Sequence, residues 1–438
     1  MSVDIAHITK EILLQYQEEE EPRRPWIVGF SGGKDSTMLL QLVWNALSKL
    51  PSEMRNREVY VVCNNTLVEN PKILKYTEGV LQDIEKASVS QSMPLYVVRT
   101  IPKLEESFWV NLIGKGYPAP NNAFRWCTER LKINPTTAFI KDKISEIGEA
   151  IILLGTRKDE SSTRSKSIDK HKVTGERLRK HILPNAFVFA PIEDVLTNEV
   201  WAYLNQVQSP WGSDNKQLQA LYRNANSGDC PIVIDDSTPS CGNSRFGCWV
   251  CTVVKKDKSM EALIENGEDW MEPLMEVRDI LVTYRNDKEW RETRRRDGST
   301  GEGILGPYTP AKRAHILRLL LEAQKEIKNG GHEYQLINYQ ELVAIQVTWY
   351  RDSIFNQSVA DIYNDIFGTE FQNTDFNDQL IFEKEVLKDS CQINTGHFEL
   401  INELLELQNS KTILMNNKGL HNDLERRLEQ FVNKEGQR

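Results

Sequence analysis

The stretch Ser31-Gly32-Gly33-Lys34-Asp35-Ser36 constrains this chain more than any other part of it. It follows the apolar run Trp26-Ile27-Val28-Gly29-Phe30 and precedes an apolar-periodic segment, Met38–Leu47, so it lies where a strand gives way to a helix. Adjacent glycines let the backbone approach a ligand closely. The N-terminus of the following helix offers unpaired N–H groups and a positive dipole end. Such a turn suits phosphate. It departs from the GxxxxGK(S/T) pattern, because Asp35 stands where Ser or Thr would follow the lysine.

Further apolar runs follow at intervals: Glu58–Cys63, Leu95–Arg99, Ala150–Leu154 and the weaker Phe187–Ala190. Helical patterns separate them at Met38–Leu47, Pro71–Lys86 and Pro135–Ile147. Continuous apolar strands alternating with helices predict an α/β fold, a parallel sheet covered by helices on both faces. In such sheets ligands sit beyond the carboxyl ends of the strands, where the phosphate turn falls. A helix is expected over Ile5–Gln17, making residues 1–24 an N-terminal helical arm. The α/β domain spans 25–205, a loop-rich, cysteine-rich segment 206–257, and a mainly helical C-terminal region 258–438. Helices are expected there at Met260–Val277, Pro310–Lys328, Glu341–Trp349 and, as two or three pieces, Phe398–Val432. Arg294–Gly303 reads as a mobile polar loop.

Two further elements carry chemistry. Gly155-Thr156-Arg157-Lys158-Asp159-Glu160-Ser161-Ser162-Thr163-Arg164 follows a strand end, where Gly155 lets the chain turn beside a ligand. Arg157 and Arg164 offer planar forks to phosphate. Cys241, Cys248 and Cys251 form a C-x6-C-x2-C array flanked by glycines, a thiol density that suits zinc or an iron–sulfur cluster. A fourth ligand would be Cys127 or Cys230. Three ligands and an open iron form the alternative. Cys63 and Cys391 read as structural.

The turn resembles the PP-loop, SGGxDS, of the ATP pyrophosphatase superfamily, the adenine nucleotide alpha hydrolase-like fold. That resemblance implies cleavage of ATP between its α and β phosphates. Ser31, Gly32, Gly33, Lys34, Asp35, Ser36 and Gly155 would then cradle the nucleotide. Lys34, Arg157, Arg164 and a bound Mg²⁺ would neutralise the departing pyrophosphate, with Asp35 the protein group nearest the metal and Ser36 counted with them as catalytic. The Gly155–Arg164 element resembles GxRxxES…R of the sulfonucleotide reductase branch. Asn64–Glu69 stands loosely in the place of its DTG…E element. Cys127, in Arg125-Trp126-Cys127-Thr128-Glu129-Arg130-Leu131-Lys132, resembles a cluster ligand of that branch.

With CGNSRFGCWVCTVV at 241–254 added, the chain resembles the DndC family, the PP-loop component of bacterial DNA phosphorothioation systems. The resemblance implies a sulfurtransferase. ATP activates a DNA backbone phosphate, a cysteine desulfurase supplies sulfur, and sulfur replaces a non-bridging oxygen. A 4Fe–4S cluster assists, and other proteins of the system handle the DNA. A sulfonucleotide reductase is one rival, disfavoured because the last cysteine, Cys391, lies far from the C-terminus. A tRNA thiolase is another, and a nucleotide-sensing scaffold a third.

A net charge of −9 argues against a wide nucleic-acid surface and leaves room for a local one. No apolar run is long enough to span a membrane, and the acidic N-terminus is no signal peptide. The expected compartment is the cytoplasm, where seven cysteines point to metal, redox or sulfur chemistry rather than disulfides.

Overall fold

A computed structural model describes residues 4–19, 23–171, 176–225, 247–296, 299–352, 354 and 356–369, with short pieces between 396 and 428. The chain divides into two compact units, residues 1–103 with 120–278, and 104–119 with 279–438.

In the first unit, α1 (Ile5–Gln17) leads to β1 (Trp26–Gly29), α2 (Lys34–Leu47), β2 (Val59–Asn64), α3 (Pro71–Ser90) and β3 (Leu95–Thr100). After residue 120 come the single turn α4 (Trp126–Thr128), α5 (Asn134–Ile147), β4 (Ala150–Leu153), α6 (Ser162–His171), β5 (Arg179–Lys180), β6 (Ala186–Phe189), α7 (Thr197–Gln206), α8 (Asn215–Ala225) and α9 (Lys258–Glu265). The six strands lie in the order β3-β2-β1-β4-β6-β5, all parallel except β5, which runs against β6.

β1 and β4 are buried at every position, which is why both read as unbroken apolar runs. Their side chains alternate between two cores. Trp26, Val28, Ile151 and Leu153 face α1, α2, α3, α7 and α8. Ile27, Ile152 and Ala150 face Ile140 of α5. The sheet is thus covered on both sides, as the sequence predicts.

The chain leaves β1 toward β2 on one side and returns to β4 on the other. That reversal makes the carboxyl ends of β1 and β4 the topological switch point, where sheets of this kind bind ligands.

Within the loop-rich segment 206–257, α8 packs Leu218 and Tyr222 into the first core. Its apolar stripe is too short to stand out among its asparagines and glutamines. At the expected polar loop, Arg294 bridges Thr300, and the Arg295 N–H donates to the Ser299 carbonyl at 3.0 Å. Most of the predicted Phe398–Val432 helical segment, with Cys391, lies outside the described residues.

α10 (Glu272–Tyr284) leads into the second unit, whose helices are α11 (Pro310–Asn329), α12 (Tyr339–Arg351) and α13 (Val359–Phe367). They enclose a five-residue π-helical turn, Val110–Gly114, buried throughout. The Trp109 and Trp349 indoles donate to the carbonyls of Leu336 and Ile113 at 2.8 and 2.9 Å. Arg313 donates to the carbonyls of Tyr308 and Gly114 at 2.8 and 2.9 Å, and to Asp352 at 2.9 Å. Gly116 has φ +72°, and a Cβ there would lie 2.4 Å from Arg313 Nε, so this position admits only glycine.

Burial pushes the Asp352 carboxyl up, but Arg313 and Arg296 outweigh that and hold it below the usual carboxylate range. A depressed carboxylate contributes stability above its unfolded value, near pH 4, and loses it as pH falls through its folded value. Asp352→Asn should destabilise this unit by about 3 kcal/mol at neutral pH, because Arg313 loses its buried anion. It should also flatten the acid side of the stability profile. Denaturant unfolding from pH 2 to 7 measures both effects.

Candidate active site

The helix expected from Met38 starts earlier, with Gly33 as its extended N-cap, so Lys34, Asp35 and Ser36 form the first turn of α2. Gly32 has φ +73°, and a Cβ there would lie 2.6 Å from Thr77 Oγ1 of α3. Ser36 closes the turn. Its hydroxyl donates to the Gly33 carbonyl at 3.0 Å, accepts from the Ser31 N–H at 3.2 Å and lies 3.2 Å from the Ser31 hydroxyl. Gly33, as N-cap, has no side chain to cap the N-terminus of α2. A left-handed glycine, a helix start and a lysine beside it form a concavity chemically suited to an anion.

The element after β4 is wired into this turn. Asp35 is buried and accepts from two cations, Lys34 Nζ at 3.0 Å on Oδ2 and Arg157 Nε on Oδ1. Arg157, 1% exposed, donates also to the Val195 carbonyl at 3.0 Å and the Thr197 hydroxyl at 3.2 Å, with Asp159 at 3.5 Å. Thr197 donates twice to Asp159 and, through these bonds first, holds that carboxyl below its ordinary value. Arg164 is buried against Glu160, which also accepts the Arg157 N–H at 2.7 Å. A Cβ on Gly155 would lie 3.0 Å from the Asp35 carbonyl, so this glycine keeps the β4 loop and the α2 start in contact. The structure therefore brings Lys34, Asp35, Gly155 and Arg157 together and seats Arg164 one step away, on Glu160.

Sequence reasoning missed Tyr222 of α8. Its hydroxyl accepts the Lys34 N–H at 3.2 Å, and Lys34 Nζ lies 5.6 Å from its ring centre. Trp201 meets that ring edge-on at 5.0 Å. A lone tyrosine in a polar stretch gives no signal of this. Glu160 stands inside the quoted GTRKDES element, where its spacing to Arg157 and Arg164 could have been read.

Cys248 lies against the segment that follows the next strand. Residues 247–249 lie antiparallel to 68–70, after β2: the Asn70 N–H donates to Gly247 and the Trp249 N–H to Val68, at 3.1 and 3.0 Å. The Thr66 hydroxyl donates to Glu69 at 2.9 Å and lies 3.3 Å from Cys248 Sγ. Burial pushes the Cys248 thiol up and Glu69 adds to this. Cys127 lies close enough to raise it further, while Lys132 and Thr66 pull it down. Asn64, which stands where the DTG…E element has its aspartate, accepts from Thr136 at 2.8 Å and donates to the Lys132 carbonyl at 3.0 Å, fixing the segment after Cys127. Arg278 holds the carbonyls of Cys251, Val254 and Lys255.

Cys127, Cys248 and Cys251 form no disulfide among the described residues. Cys230 and Cys241 lie outside the described residues, and among the described residues no three metal-binding side chains converge on one point. Cys63 is buried, and burial pushes its thiol up to about 12, in keeping with packing.

The phosphoadenosine phosphosulfate reductase domain family matches residues 25–254, more than half of the chain. The chain belongs to this family. Over 236 residues, 54% of its length, it is 31% identical to an uncharacterized protein of Methanocaldococcus jannaschii, of which it spans 38%. Among solved structures it is similar to a phosphoadenylyl-sulfate reductase from Candida auris in complex with phosphate. The identity is 14% and the TM-score 0.31, over 52% of this chain and 95% of that one. It is also similar to the U34-tRNA thiolase NcsA from Methanococcus maripaludis, which carries a 4Fe–4S cluster. There the identity is 13% and the TM-score 0.29, over 64% and 78%. Scores this low bear on neither substrate nor cofactor. No helix among the described residues is long and apolar enough to cross a membrane.

Within this reductase-domain unit, Gly32→Ala should cost on the order of 2 kcal/mol, from the left-handed backbone and the clash with Thr77. Adding Thr77→Ala should return the steric part only. Urea unfolding of the single and double variants measures the split.

Proposed function

We propose that this chain is the ATP pyrophosphatase and sulfurtransferase of a DNA phosphorothioation system, a DndC-type member of the reductase-domain family. One observation carries the reading: the phosphate turn after β1 and the loop receiving Cys248 after β2 leave adjacent parallel strands at the same edge of the sheet. A nucleotide-activating site and a thiol site side by side fit a reaction that activates an oxygen and replaces it with sulfur.

A DNA backbone phosphate oxygen would attack the α-phosphorus of ATP, releasing pyrophosphate and forming an adenylated phosphate. The terminal sulfur of a persulfide supplied by a cysteine desulfurase would then attack the DNA phosphorus, AMP would leave with the original oxygen, and an external dithiol would reduce the remaining S–S bond to leave the phosphorothioate. The amides at the start of α2 and the Lys34 ammonium take up charge on the leaving pyrophosphate. The Ser31–Ser36 bonds hold the cradle in shape before the nucleotide enters.

The thiols of Cys127, Cys248 and Cys251, with Cys241, are a donor set of the kind that would hold a 4Fe–4S cluster, and an iron would be open to sulfur only where three of the four hold it. Asp35 does not fit a Mg²⁺ ligand as it stands, since each oxygen already accepts from a cation. DNA and the other proteins of the system are the partners this reading requires. A second reading, reduction of a sulfonucleotide, is favoured by the family match itself.

Protein purified without oxygen should be brown and contain iron. With ATP and duplex DNA it should release pyrophosphate and yield an adenylated phosphate. Lys34→Ala should cut that release at least 100-fold, about 2.7 kcal/mol of transition-state stabilisation. Sulfite release from a sulfonucleotide, with no DNA-dependent pyrophosphate, would decide for the reductase.

A further inference from the structure

The Asp35 carboxylate sits between two cations that come from different parts of the chain. Lys34 is its neighbour on α2, at 3.0 Å, while Arg157 arrives from the loop after β4. Arg157 cannot swing away freely, because its remaining nitrogens are held by Val195 and Thr197. Gly155 brings the same loop against the Asp35 backbone. Lys34 itself is 6% exposed and flanked on its other side by the Tyr222 ring.

We propose that Asp35 is a positioning residue, a buried brace through which Arg157 fixes the Lys34 ammonium at the mouth of the phosphate turn, and not a magnesium ligand. The proposal rests on the ATP reading of that turn. A divalent cation seated on Asp35 would lie beside an ammonium and a guanidinium, with both carboxylate oxygens already accepting. Mg²⁺ prefers anionic oxygens and keeps much of its water, so it would enter on the nucleotide's own phosphates. The brace has two consequences. Arg157 acts through Asp35 rather than on phosphate, since each of its three nitrogens already donates to a protein oxygen. Loss of either partner releases the same lysine, so the two effects overlap instead of adding.

The test is a kinetic and stability comparison of wild type, Asp35→Asn, Arg157→Gln and the double variant, with pyrophosphate release measured against Mg²⁺ and ATP. The brace predicts that Asp35→Asn lowers kcat 10- to 100-fold while KM for ATP and the half-saturating Mg²⁺ stay within twofold. Arg157→Gln should do the same, and the double variant should be no worse than Asp35→Asn. A tenfold or larger rise in the Mg²⁺ requirement of Asp35→Asn, restored by Mn²⁺, would overturn the proposal, as would multiplicative kcat losses.

If the wild-type chain releases no pyrophosphate, the ATP reading falls by itself. The brace is then decided by thermal unfolding of the same four proteins, where non-additive shifts support it and additive shifts sink it.

Discussion

The placement of β1 between β2 and β4 governs this molecule. Trp26 pairs with Val59 on one side and Ile151 on the other, and every strand the three share runs the same way. Parallel strands must deliver their following loops to one edge. The phosphate turn, the Asn65–Asn70 segment and the Gly155–Glu160 segment therefore emerge side by side. None of the three is distinctive enough alone to make a site. Their adjacency follows from hydrogen-bond register deep in an apolar sheet, and the chemistry at the edge depends on it.

Charge at that edge is arranged in advance. Lys34 and Arg157 would repel each other if left together without an anion, and each would resist burial. Asp35 between them lowers that cost, and Asp159 at 3.5 Å gives Arg157 a second carboxylate. A buried triad of this kind adds little to stability relative to a packed apolar core. Its persistence here is better explained by geometry, since it aims an ammonium that would otherwise sample many rotamers.

The sheet was legible because full burial on both faces forces continuous β-branched runs, seen at Val59–Cys63 and Ala150–Leu153. The Ser31–Ser36 turn was legible because its two glycines answer needs that few other sequences meet. The partners of these residues were not. Val195 and Thr197 lie 38 and 40 positions from Arg157, and a carbonyl acceptor leaves no mark in sequence. The same holds for Tyr222, 188 positions from Lys34, and for Thr66, 182 positions from Cys248. Arg157 was recognised as a fork for an anion, and the anion it meets in the structure is a carboxylate of the protein. Residue type announces what a group can bind. Only the fold decides which acceptor reaches it first.

The cysteine segment follows the same logic from the opposite direction. Its C-x2-C spacing was plain, yet the order of residues 247–255 comes from main-chain capture. Arg278 gathers three carbonyls, the Thr252 hydroxyl donates to Pro120 at 2.6 Å, and Gly247 and Trp249 pair with the β2 loop. A loop fixed by its backbone keeps its thiols in place whatever they hold. That separates this arrangement from small zinc modules, which fold only when metal is bound. Here binding need not supply folding energy, so on the proposed reading a centre held by these thiols would exchange a ligand without unravelling the loop.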